Sequence, residues 1–436
     1  MSEWKETEIG LIPSDWHIDK LENYVQPQRG ITYGIVKVGD FVPGGVPVIR
    51  GGDIRDGSIV FDDQKRVTEE VSNQFRRTIL QGGEILLNLI AEPGHAAIVP
   101  DELISSNVSR DVAVIPLDDS VDYKFVCYFL RSEASITWLT NRLQGTVTKK
   151  INLGVLRDLP ILLMPLDEQR RIAHFLDCLD RKIENLRRQN ETLERIAQTL
   201  FKHWFVDFEF PNEDGKPYRS SGGEMVRSEL GEIPAVWRVG NLDDVLSLII
   251  DYRGKTPKKL GGDWSLAGIP ALSAKNIKDG RIVREDAINF VDKDLYNKWM
   301  KNELQKGDIL LTSEAPLGEV VYLASNRKYV LSQRLFSLRT KARFDSTYLY
   351  FWLKSPQGQF LLERRATGST VEGIRQVELR KVEIIIPALG ILEKAAFLWL
   401  VALEKTENNN QQIRTLTKTR DVLLPQLMSG TLRTKD

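Results

Sequence analysis

The sequence contains two copies of one unit, and this internal repeat constrains the fold more than any other feature. Four motifs of the first half recur in the same order about 220 residues further along the chain. The first members are Gly10-Leu11-Ile12-Pro13, Asp53-Ile54-Arg55-Asp56-Gly57, Leu80 to Leu87 and Ser109-Arg110, and their counterparts are Gly231-Glu232-Ile233-Pro234, Asn276-Ile277-Lys278-Asp279-Gly280, Leu304 to Leu311 and Gln333-Arg334. Because this period is longer than that of solenoid repeats, we expect each copy to form a domain with its own core.

Within each copy, turn signals and short apolar runs predict strands, and helical stretches follow at 122–143 and 345–364. The predicted fold class is α+β, with two tandem-duplicated mixed α/β domains separated by two long helices. These helices are expected to form an antiparallel coiled coil and to give the chain pseudo-two-fold symmetry. The predicted segments are a first domain at 1–165, a central long helix at 166–210, a Gly-, Ser- and Pro-rich linker at 211–228, a second domain at 229–387, a distal long helix at 388–427 and a C-terminal tail at 428–436.

The central helix carries apolar residues at a heptad spacing. The two rows are Ile172, Leu179, Leu186, Leu193 and Leu200, and Leu176, Ile183, Asn190, Ala197 and Trp204. Neither Gly nor Pro occurs between Asp167 and Trp204, so we expect a rod of about 38 residues, roughly 57 Å long. An amphipathic helix packed on one domain is the alternative. The length favours a coiled-coil arm whose register is set by Leu179, Leu186, Asn190 and Leu193.

The distal helix has a weaker pattern because residues 404–412 are strongly polar. If the two helices pair antiparallel, Asn190 faces residues 408–412. A single polar residue on an apolar seam fixes the register at a cost in stability, and solvent exposure of Asn190 is the alternative. Pro425 is expected to end or kink the distal helix.

Composition and charge exclude several classes of protein. The 60 Lys and Arg residues balance 60 Asp and Glu residues, which excludes a uniformly basic nucleic-acid coat but not a local basic face. The sequence contains no run of eighteen apolar residues, so we expect no membrane span. The N-terminus lacks the apolar core of a signal peptide. Cys127 and Cys178 lie in apolar helical patterns and are interpreted as packing residues of a protein in the reducing cytoplasm.

Motifs for catalysis and cofactor binding are missing from the sequence. The four histidines form no His-Glu-x-x-His motif and the two cysteines form no cluster, so we expect no metal site. Gly254-Lys255-Thr256 resembles the end of a phosphate-binding loop, but Ile249 stands where the first glycine belongs. Asp214-Gly215-Lys216 resembles the end of a nuclease motif, but it lies in the predicted linker without a strand. Catalysis by this chain alone is therefore not expected.

A local excess of positive charge marks the start of the second copy. Between Arg253 and Arg284 there are eight Lys and Arg residues against Asp263 and Asp279, whereas the matching stretch of the first copy, 29–66, is nearly balanced. Clustered cations with aromatic neighbours are typical of phosphate binding, and solvated loops are the alternative. Two related domains with diverged polar loops indicate the same task on different targets.

Six motifs, taken in order, resemble one protein family over essentially the full length of the chain. They are Arg253-Gly254-Lys255-Thr256-Pro257, the stretch from Ile269-Pro270 to Ser273-Ala274-Lys275-Asn276-Ile277, Gly307-Asp308-Ile309-Leu310, Gly368-Ser369-Thr370, Pro165-Leu166-Asp167-Glu168-Gln169 and Trp204-Phe205-Val206-Asp207-Phe208. Together they are similar to the specificity subunit of type I restriction–modification enzymes. The distal helix departs from the pattern, since Pro387-Ala388-Leu389-Gly390-Ile391 replaces the Pro-Leu-x-Glu-Gln opening.

The resemblance implies a non-catalytic DNA reader. Each domain would be a target-recognition domain that reads one part of a split site in double-stranded DNA, and the two conserved helices would space the parts. Two methyltransferase subunits and the translocating endonuclease subunits would be the protein partners. S-adenosylmethionine, ATP and magnesium would be bound by those partners, and none by this chain. The alternative is a DNA-independent coiled-coil scaffold for a methyltransferase complex.

Matching positions give the candidate DNA contacts, for each of which a surface charge or a turn residue is the alternative. In the first domain they are Arg29, Thr32, Tyr33, Arg50, Arg110, Lys149 and Lys150. In the second domain they are Tyr252, Arg253, Lys255, Thr256, Lys275, Asn276, Gln333, Arg334, Ser369 and Thr370. Trp16 and Trp237 are interpreted as core residues rather than base-stacking residues. Asp53 and Asn276 precede Asp-Gly, so they fit turn residues as well as readers.

Overall fold

The computed structural model describes residues 3–55, 57–61, 65–90, 94–145, 149–368 and 372–433. The chain divides into two compact units. Unit 1 comprises residues 1–185 and 413–436, and unit 2 comprises residues 186–412. Both divisions fall inside the long helices, so each unit contains one mixed domain and a part of each long helix. No helix in the described ranges is long and apolar enough to cross a membrane.

The mixed domain of unit 1 is built from thirteen short strands and four α-helices. The strands are β1 (Trp4–Thr7), β2 (Gly10–Pro13), β3 (His17–Lys20), β4 (Thr32–Tyr33), β5 (Val46–Ile49), β6 (Ile54–Arg55), β7 (Ser58–Ile59), β8 (Arg66–Val67), β9 (Ile85–Asn88), β10 (Ala96–Ile98), β11 (Asn107–Val108), β12 (Val112–Ile115) and β13 (Pro160–Leu163). The helices are α1 (Glu69–Gln74), α2 (Tyr123–Leu130), α3 (Glu133–Thr140) and α4 (Leu153–Arg157), with 3-10 turns at Leu21–Tyr24, Gly51–Asp53, Arg76–Thr78 and Asp101–Leu103. These counts cover the described residues.

The first long helix, α5 (Leu166–Phe201), follows this domain and continues into a π-helical turn at Lys202–Val206. The strands of unit 2 are β14 (Met225–Ser228), β15 (Gly231–Pro234), β16 (Arg238–Asn241), β17 (Leu246–Asp251), β18 (Ile269–Leu272), β19 (Ile277–Lys278), β20 (Arg281–Ile282), β21 (Asn289–Val291), β22 (Ile309–Ser313), β23 (Leu317–Tyr322), β24 (Val330–Leu331), β25 (Leu335–Thr340) and β26 (Glu383–Ile386). Its helices are α6 (Leu242–Val245), α7 (Lys293–Trp299), α8 (Ser346–Lys354), α9 (Pro356–Arg364) and α10 (Gln376–Arg380), with 3-10 turns at Lys258–Leu260, Ala274–Asn276 and Glu285–Ala287. The second long helix is α11 (Leu389–Ser429).

The sheets of the two units have the same topology. The four-stranded sheet has the order β10-β9-β12-β4 in unit 1 and β23-β22-β25-β17 in unit 2. The three-stranded sheet has the order β11-β5-β8 in unit 1 and β24-β18-β21 in unit 2, and in both its central strand has one parallel neighbour. The fold therefore repeats the order that the sequence motifs predict, and the mixed α+β class with two domains is confirmed.

The short apolar runs that form β9 and β22 are central strands of their sheets, buried on both faces. Ile85 and Leu87 of β9 belong to one hydrophobic cluster, and Leu86 belongs to another. In β22, Ile309 and Leu311 likewise belong to one hydrophobic cluster and Leu310 belongs to another. Because alternate side chains of a strand point to opposite faces, each of these strands divides two parts of the core of its unit. This double burial explains why the runs are continuously apolar.

Within each unit, α5 and α11 run antiparallel. In unit 1, Arg420 Nη1 donates to Asp180 Oδ1 at 2.8 Å, while Leu427 and Met428 join the same core as Ile172 further back in α5. In unit 2, Asn190 contacts Asn410, and Trp399 Nε1 donates to the carbonyl oxygen of Ala197 at 3.1 Å. The predicted register residues Leu186 and Asn190 are buried, and Leu179 and Leu193 are half-buried. The antiparallel pairing is confirmed.

Pro425 was expected to end or kink the distal helix, and it does not end it. Helix α11 continues to Ser429, four residues beyond the proline. Proline removes one backbone hydrogen bond, but Leu427 and Met428 of the next turn are buried in the core of unit 1. Their burial offsets the lost bond, so tertiary packing decides the end of the helix.

Two further expectations differ from the structure. The segment 211–228 contains strand β14, which pairs with β15, and Tyr218 stacks on Phe210 with ring centroids 4.6 Å apart, so much of this predicted linker is folded. Cys127 is buried, as expected of a packing residue, and burial raises the pKa of its thiol to about 11. Cys178 is exposed on α5, so its interpretation as a packing residue is wrong.

Candidate nucleic-acid interface

Lys275, Gln333 and Arg334 line one depression of unit 2, with a cavity volume of about 280 Å³. The 3-10 turn Ala274–Asn276 carries Lys275, and the connection between β24 and β25 carries the other two residues. These segments are joined because Ala274 N donates to the Gln333 carbonyl oxygen at 3.1 Å. Candidates that lie almost 60 residues apart in the chain thus share one surface. We call this depression the unit 2 pocket.

Arg334 is held in place at the rim of the unit 2 pocket. Its Nε lies 3.0 Å from Glu314 Oε1 in an ion pair between two exposed side chains. Its backbone is left-handed, with φ of 62°, a conformation that is unusual for a residue with a side chain. Such backbone conformations cluster at binding sites, where the surrounding structure maintains them. Arg334 thus combines an exposed ion pair with a backbone conformation that is frequent at binding sites.

Asn276 does not present its side chain to a ligand, although it was a candidate reader. It is 1% exposed. Its Oδ1 accepts hydrogen bonds from Ser273 N at 3.1 Å and Ser273 Oγ at 3.0 Å, which closes the 3-10 turn. The turn interpretation is correct for this residue, and its role is to fix the neighbouring Lys275. Asp53 does the same in unit 1, where its Oδ2 accepts from Arg50 N at 2.8 Å.

Most of the predicted loop 252–256 is committed to internal contacts. Tyr252 is buried and its hydroxyl accepts from Asn302 N at 2.7 Å. Lys255 Nζ donates to the Trp299 carbonyl oxygen at 2.8 Å, and burial, with a smaller effect of Lys301, lowers the pKa of this amine. Thr256 Oγ1 accepts from Lys259 N at 3.4 Å. These three side chains stabilise the loop instead of extending toward a ligand.

Arg253 is also engaged inside unit 2. Its guanidinium lies 2.8 Å from Asp251 Oδ2 and 4.1 Å from the centroid of the Phe336 ring. An ion pair and a cation–π contact on the same group hold it in one orientation. Arg253 and Lys275 are both exposed, but the side chain of Arg253 is already paired within unit 2.

Arg29 of unit 1 is a structural residue, contrary to its assignment as a DNA contact. Its Nη1 lies 2.6 Å from Glu84 Oε1, and both side chains are almost fully buried. Its Nη2 donates to the Ile79 carbonyl oxygen at 3.1 Å. Removing this arginine would leave a buried carboxylate without its counter-charge, so the charge of Arg29 stabilises the fold.

The remaining candidates of unit 1 lie at its surface. Tyr33 and Arg110 are exposed, and Thr32 and Arg50 are half-buried. Lys149 and Lys150 are exposed next to residues outside the described ranges, and the Lys150 backbone is fixed by two hydrogen bonds with Gln144. Ser369 and Thr370, the last two candidates of the second domain, lie outside the described residues.

Sequence reasoning missed Trp264, which also lines the unit 2 pocket. Its side chain is 42% exposed, and its ring centroid lies 6.2 Å from that of the buried Trp299. The indole of Trp264 is therefore partly covered by Trp299 and partly accessible. The signal that could have found it is its position as an aromatic residue inside the basic stretch 253–284.

Metal and catalytic sites were not expected from the sequence. Within the parts of the chain that the structure describes, no group of three or more His, Cys, Asp and Glu side chains is arranged to hold a metal ion. The unit 2 pocket offers cations, amides and one indole on a scaffold of β-strands. Such a set fits the class of proteins that bind an anionic polymer by charge and read it by hydrogen bonds.

Comparison with known proteins identifies the family. The model of the type I restriction modification DNA specificity domain matches residues 38–195 and 234–418, which together make up more than half of the chain. The chain belongs to this family, and each of its mixed domains contributes to one of the two matches.

Individual relatives agree with this assignment. The specificity subunit of the type I restriction enzyme MjaIX from Methanocaldococcus jannaschii is 28% identical over 445 residues, which cover 100% of this chain and 98% of that protein. The EcoBI specificity subunit from Escherichia coli is 29% identical over 205 residues, covering 44% of this chain and 42% of that subunit. The crystal structure of a type I restriction–modification S subunit from M. genitalium superposes with a TM-score of 0.60 at 16% identity, covering 94% of this chain and 96% of that one, and therefore shares the fold.

Proposed function

We propose that this chain is the DNA-reading subunit of a type I restriction–modification complex and recognises a target with two separate parts. The observation that carries the proposal is the double match to a DNA specificity domain, at 38–195 and 234–418. One reader in each unit would recognise one part of the target. The repeated scaffold with different exposed side chains supports this division, since base choice depends on the residues that the scaffold presents.

The contacts of the second part would come from the unit 2 pocket. Lys275 and Arg334 supply positive charge for phosphates or for guanine edges, and Gln333 supplies an amide that pairs with adenine edges. In unit 1, the exposed Arg110, Tyr33, Lys149 and Lys150 would supply the corresponding contacts. Each correct pairing between a side chain and a base is worth about 1–3 kcal/mol of discrimination.

The long helices would set the length of the unread gap between the two parts. Helices α5 and α11 each contribute to both units, so their length is shared by both readers. Two readers on one face of a duplex are separated by about 34–36 Å or a multiple of this distance. Matched insertions of whole helical turns between Leu179 and Leu193 and in the facing part of α11 are expected to lengthen the gap.

Chemistry would belong to the partner subunits. Two methyltransferase subunits with S-adenosylmethionine would methylate adenines, and endonuclease subunits with ATP and magnesium would cut DNA. This chain would supply no catalytic residue and would direct both activities by holding the target. Its membership of the specificity family supports this role.

The test is methylome sequencing of a host that expresses the chain with its partner methyltransferase. Methylated adenines in one two-part motif are the expected result, and the helix insertions should change only the spacing of that motif. Methylation without a two-part motif would overturn the proposal. A purified complex that contains the methyltransferase but does not bind duplex DNA would favour the coiled-coil scaffold instead.

A further inference from the structure

The unit 2 pocket combines an apolar side with polar and charged groups. The apolar side consists of the side chains of Ala271, Ala274, Ala287 and Ala315 and the indole of Trp264. The volume of about 280 Å³ lies just below the range of about 300–1,000 Å³ that is usual for small-molecule sites. The pocket thus fits one small planar group better than a larger ligand.

Polar groups in the pocket still have hydrogen-bonding capacity. The side chains of Lys275, Asn289 and Gln333 line the pocket, and none has a hydrogen-bond partner among the residues that the structure describes. Arg334 is already paired with Glu314. Two amides next to an apolar aromatic wall offer both donors and acceptors to the edge of a heterocycle.

The turn that carries Trp264 also presents an unusual apolar side chain. Leu266 is fully exposed, at 103% of the reference value. The turn itself is fixed, because Ser265 N donates to the Phe290 carbonyl oxygen at 2.9 Å and Ser265 Oγ donates to the Ala267 carbonyl oxygen at 2.9 Å. Gly268 closes it with φ of +135°, at a place where a Cβ would collide with the Val291 carbonyl oxygen. The leucine is therefore displayed by a rigid element.

Three parts of DNA could meet this pocket. A phosphate would be matched by the charged rim but not by the alanines and the indole, because apolar surfaces cannot replace its hydration. A base edge in an intact duplex lies on the floor of a groove, where the exposed side chains of the rim can read it, but it does not enter the concave interior of the site. A base that has left the stack protrudes from the duplex, presents a flat face to an aromatic ring and exposes its edge to amides.

We propose that the unit 2 pocket receives one unstacked base of the target, with Trp264 as its stacking platform and Leu266 as the side chain that fills the space it leaves. The inference rests on the proposed function and extends it to the shape of the bound DNA. Asn289 and Gln333 contact the edge of the base, and Lys275 contacts the adjoining phosphate. Apolar side chains inserted between base steps are a known means of stabilising such distortion.

The experiment uses the full complex with its methyltransferase and duplexes that carry the target defined by methylome sequencing. Each base of the part read by unit 2 is left unpaired in turn by placing an abasic site opposite it. At one position the wild-type complex should bind the unpaired duplex about tenfold to a hundredfold more tightly than the paired one, because extrusion no longer breaks a base pair. Trp264→Ala should abolish this preference, and Trp264→Phe should restore much of it.

Leu266→Ala should weaken binding to the paired duplex and leave binding to the unpaired duplex less affected. Phe360→Ala is the matched control, since Phe360 is an exposed apolar residue of unit 2 outside the pocket lining, and it should change neither affinity. A uniform affinity across all unpaired positions, or a preference that survives Trp264→Ala, would overturn the inference while the wild-type complex still binds the paired target. A wild-type complex that does not bind the paired target would overturn the proposed function itself.

Discussion

The two units contain the same buried carboxylate but neutralise it with arginines from different places. Glu84 accepts from Gln81 N at 2.8 Å in unit 1, and Asp308 accepts from Gln305 N at 2.9 Å in unit 2. The counter-charge of Glu84 is Arg29, which precedes β4, whereas that of Asp308 is Arg339 in β25. The turn that holds the acid is thus common to both copies, but the arginine that neutralises it comes from a different place in each.

This difference shows why an aligned position does not transfer a role. Arg29-Gly30 and Arg253-Gly254 match in sequence, yet Arg29 precedes β4 and neutralises the buried acid, whereas Arg253 follows β17, is paired with Asp251 and covers Phe336. The surfaces diverge in the same way. In unit 1 the carboxylate of Asp111 accepts from Gly51 N at 3.0 Å, while the corresponding turn of unit 2 opens onto a pocket with Lys275 on its rim.

The largest expected effect concerns the two buried ion pairs. Arg29→Ala and Arg339→Ala should each destabilise its own unit by about 3–5 kcal/mol, because each leaves a buried carboxylate uncompensated. Differential scanning calorimetry should show a lowered transition for unit 1 in the first variant and for unit 2 in the second. Arg334→Ala, which breaks an exposed pair, should cost less than about 1 kcal/mol. Equal losses in all three variants would contradict this distinction.

The polar contacts between α5 and α11 also differ between the two units, and this difference gives the second prediction. Unit 2 buries a polar layer in which Asn190 Nδ2 donates to Asn410 Oδ1 at 2.9 Å and Asn409 Nδ2 donates to Asn190 Oδ1 at 2.8 Å. In unit 1, a partly buried ion pair of Arg420 with Asp180 joins the helices instead. Asn190→Leu alone should destabilise unit 2 by about 1–3 kcal/mol, because it leaves Asn409 buried without this partner.

The double variant Asn190→Leu with Asn409→Leu should recover this loss, since both buried amides are then replaced by apolar groups. Thermal unfolding of the single and double variants makes the comparison. A single variant that is more stable than the wild type would show that the polar layer costs more than its hydrogen bonds return.

A third prediction separates ligand contacts from loop contacts in unit 2. Lys275→Ala should reduce the dependence of DNA affinity on salt by about one unit of slope, because one phosphate contact is lost. Lys255→Ala should leave the slope unchanged and lower the thermal stability of unit 2, since its amine donates to the Trp299 carbonyl oxygen. The reverse outcome would return loop 252–256 to the DNA contacts.

The smallest expected effect is a pH dependence of the stability of unit 2. It arises where Glu194 of α5 contacts Lys354 and Arg281. Burial raises the pKa of Glu194, but hydrogen bonds and charge from Lys354 and Arg281 outweigh it, and the net pKa lies below the ordinary 4.5. A carboxylate with a lowered pKa stabilises the fold above 4.5, and this contribution is lost as the pH falls through the pKa of the folded state. Glu194→Gln should flatten the acid side of the stability profile of unit 2 by less than about 1 kcal/mol. A profile that keeps its full acid slope in this variant would exclude the pair as its source.

Periodicity and repetition predicted the architecture because both depend on many residues at once. The continuous apolar runs at β9 and β22, the buried Trp16 and Trp237 and the heptad rows of α5 are all confirmed. The candidate contacts were harder to predict, because single charged residues serve a fold or a ligand according to their neighbours. Arg29 has a buried acid nearby and Lys275 does not, and those neighbours are distant in the chain. Trp264 was missed because its pocket is assembled from five separate segments of the chain.

The most direct test of the central claim compares Gln333→Ala with Arg110→Ala in the methylome of a host that expresses each variant with the partner methyltransferase. Because the two units carry different surfaces on one scaffold, Gln333→Ala should relax the base requirement in one part of the target only. Arg110→Ala should relax the other part only, and the gap should be unchanged in both. Relaxation of the same part by both variants, or of both parts by either, would contradict the account.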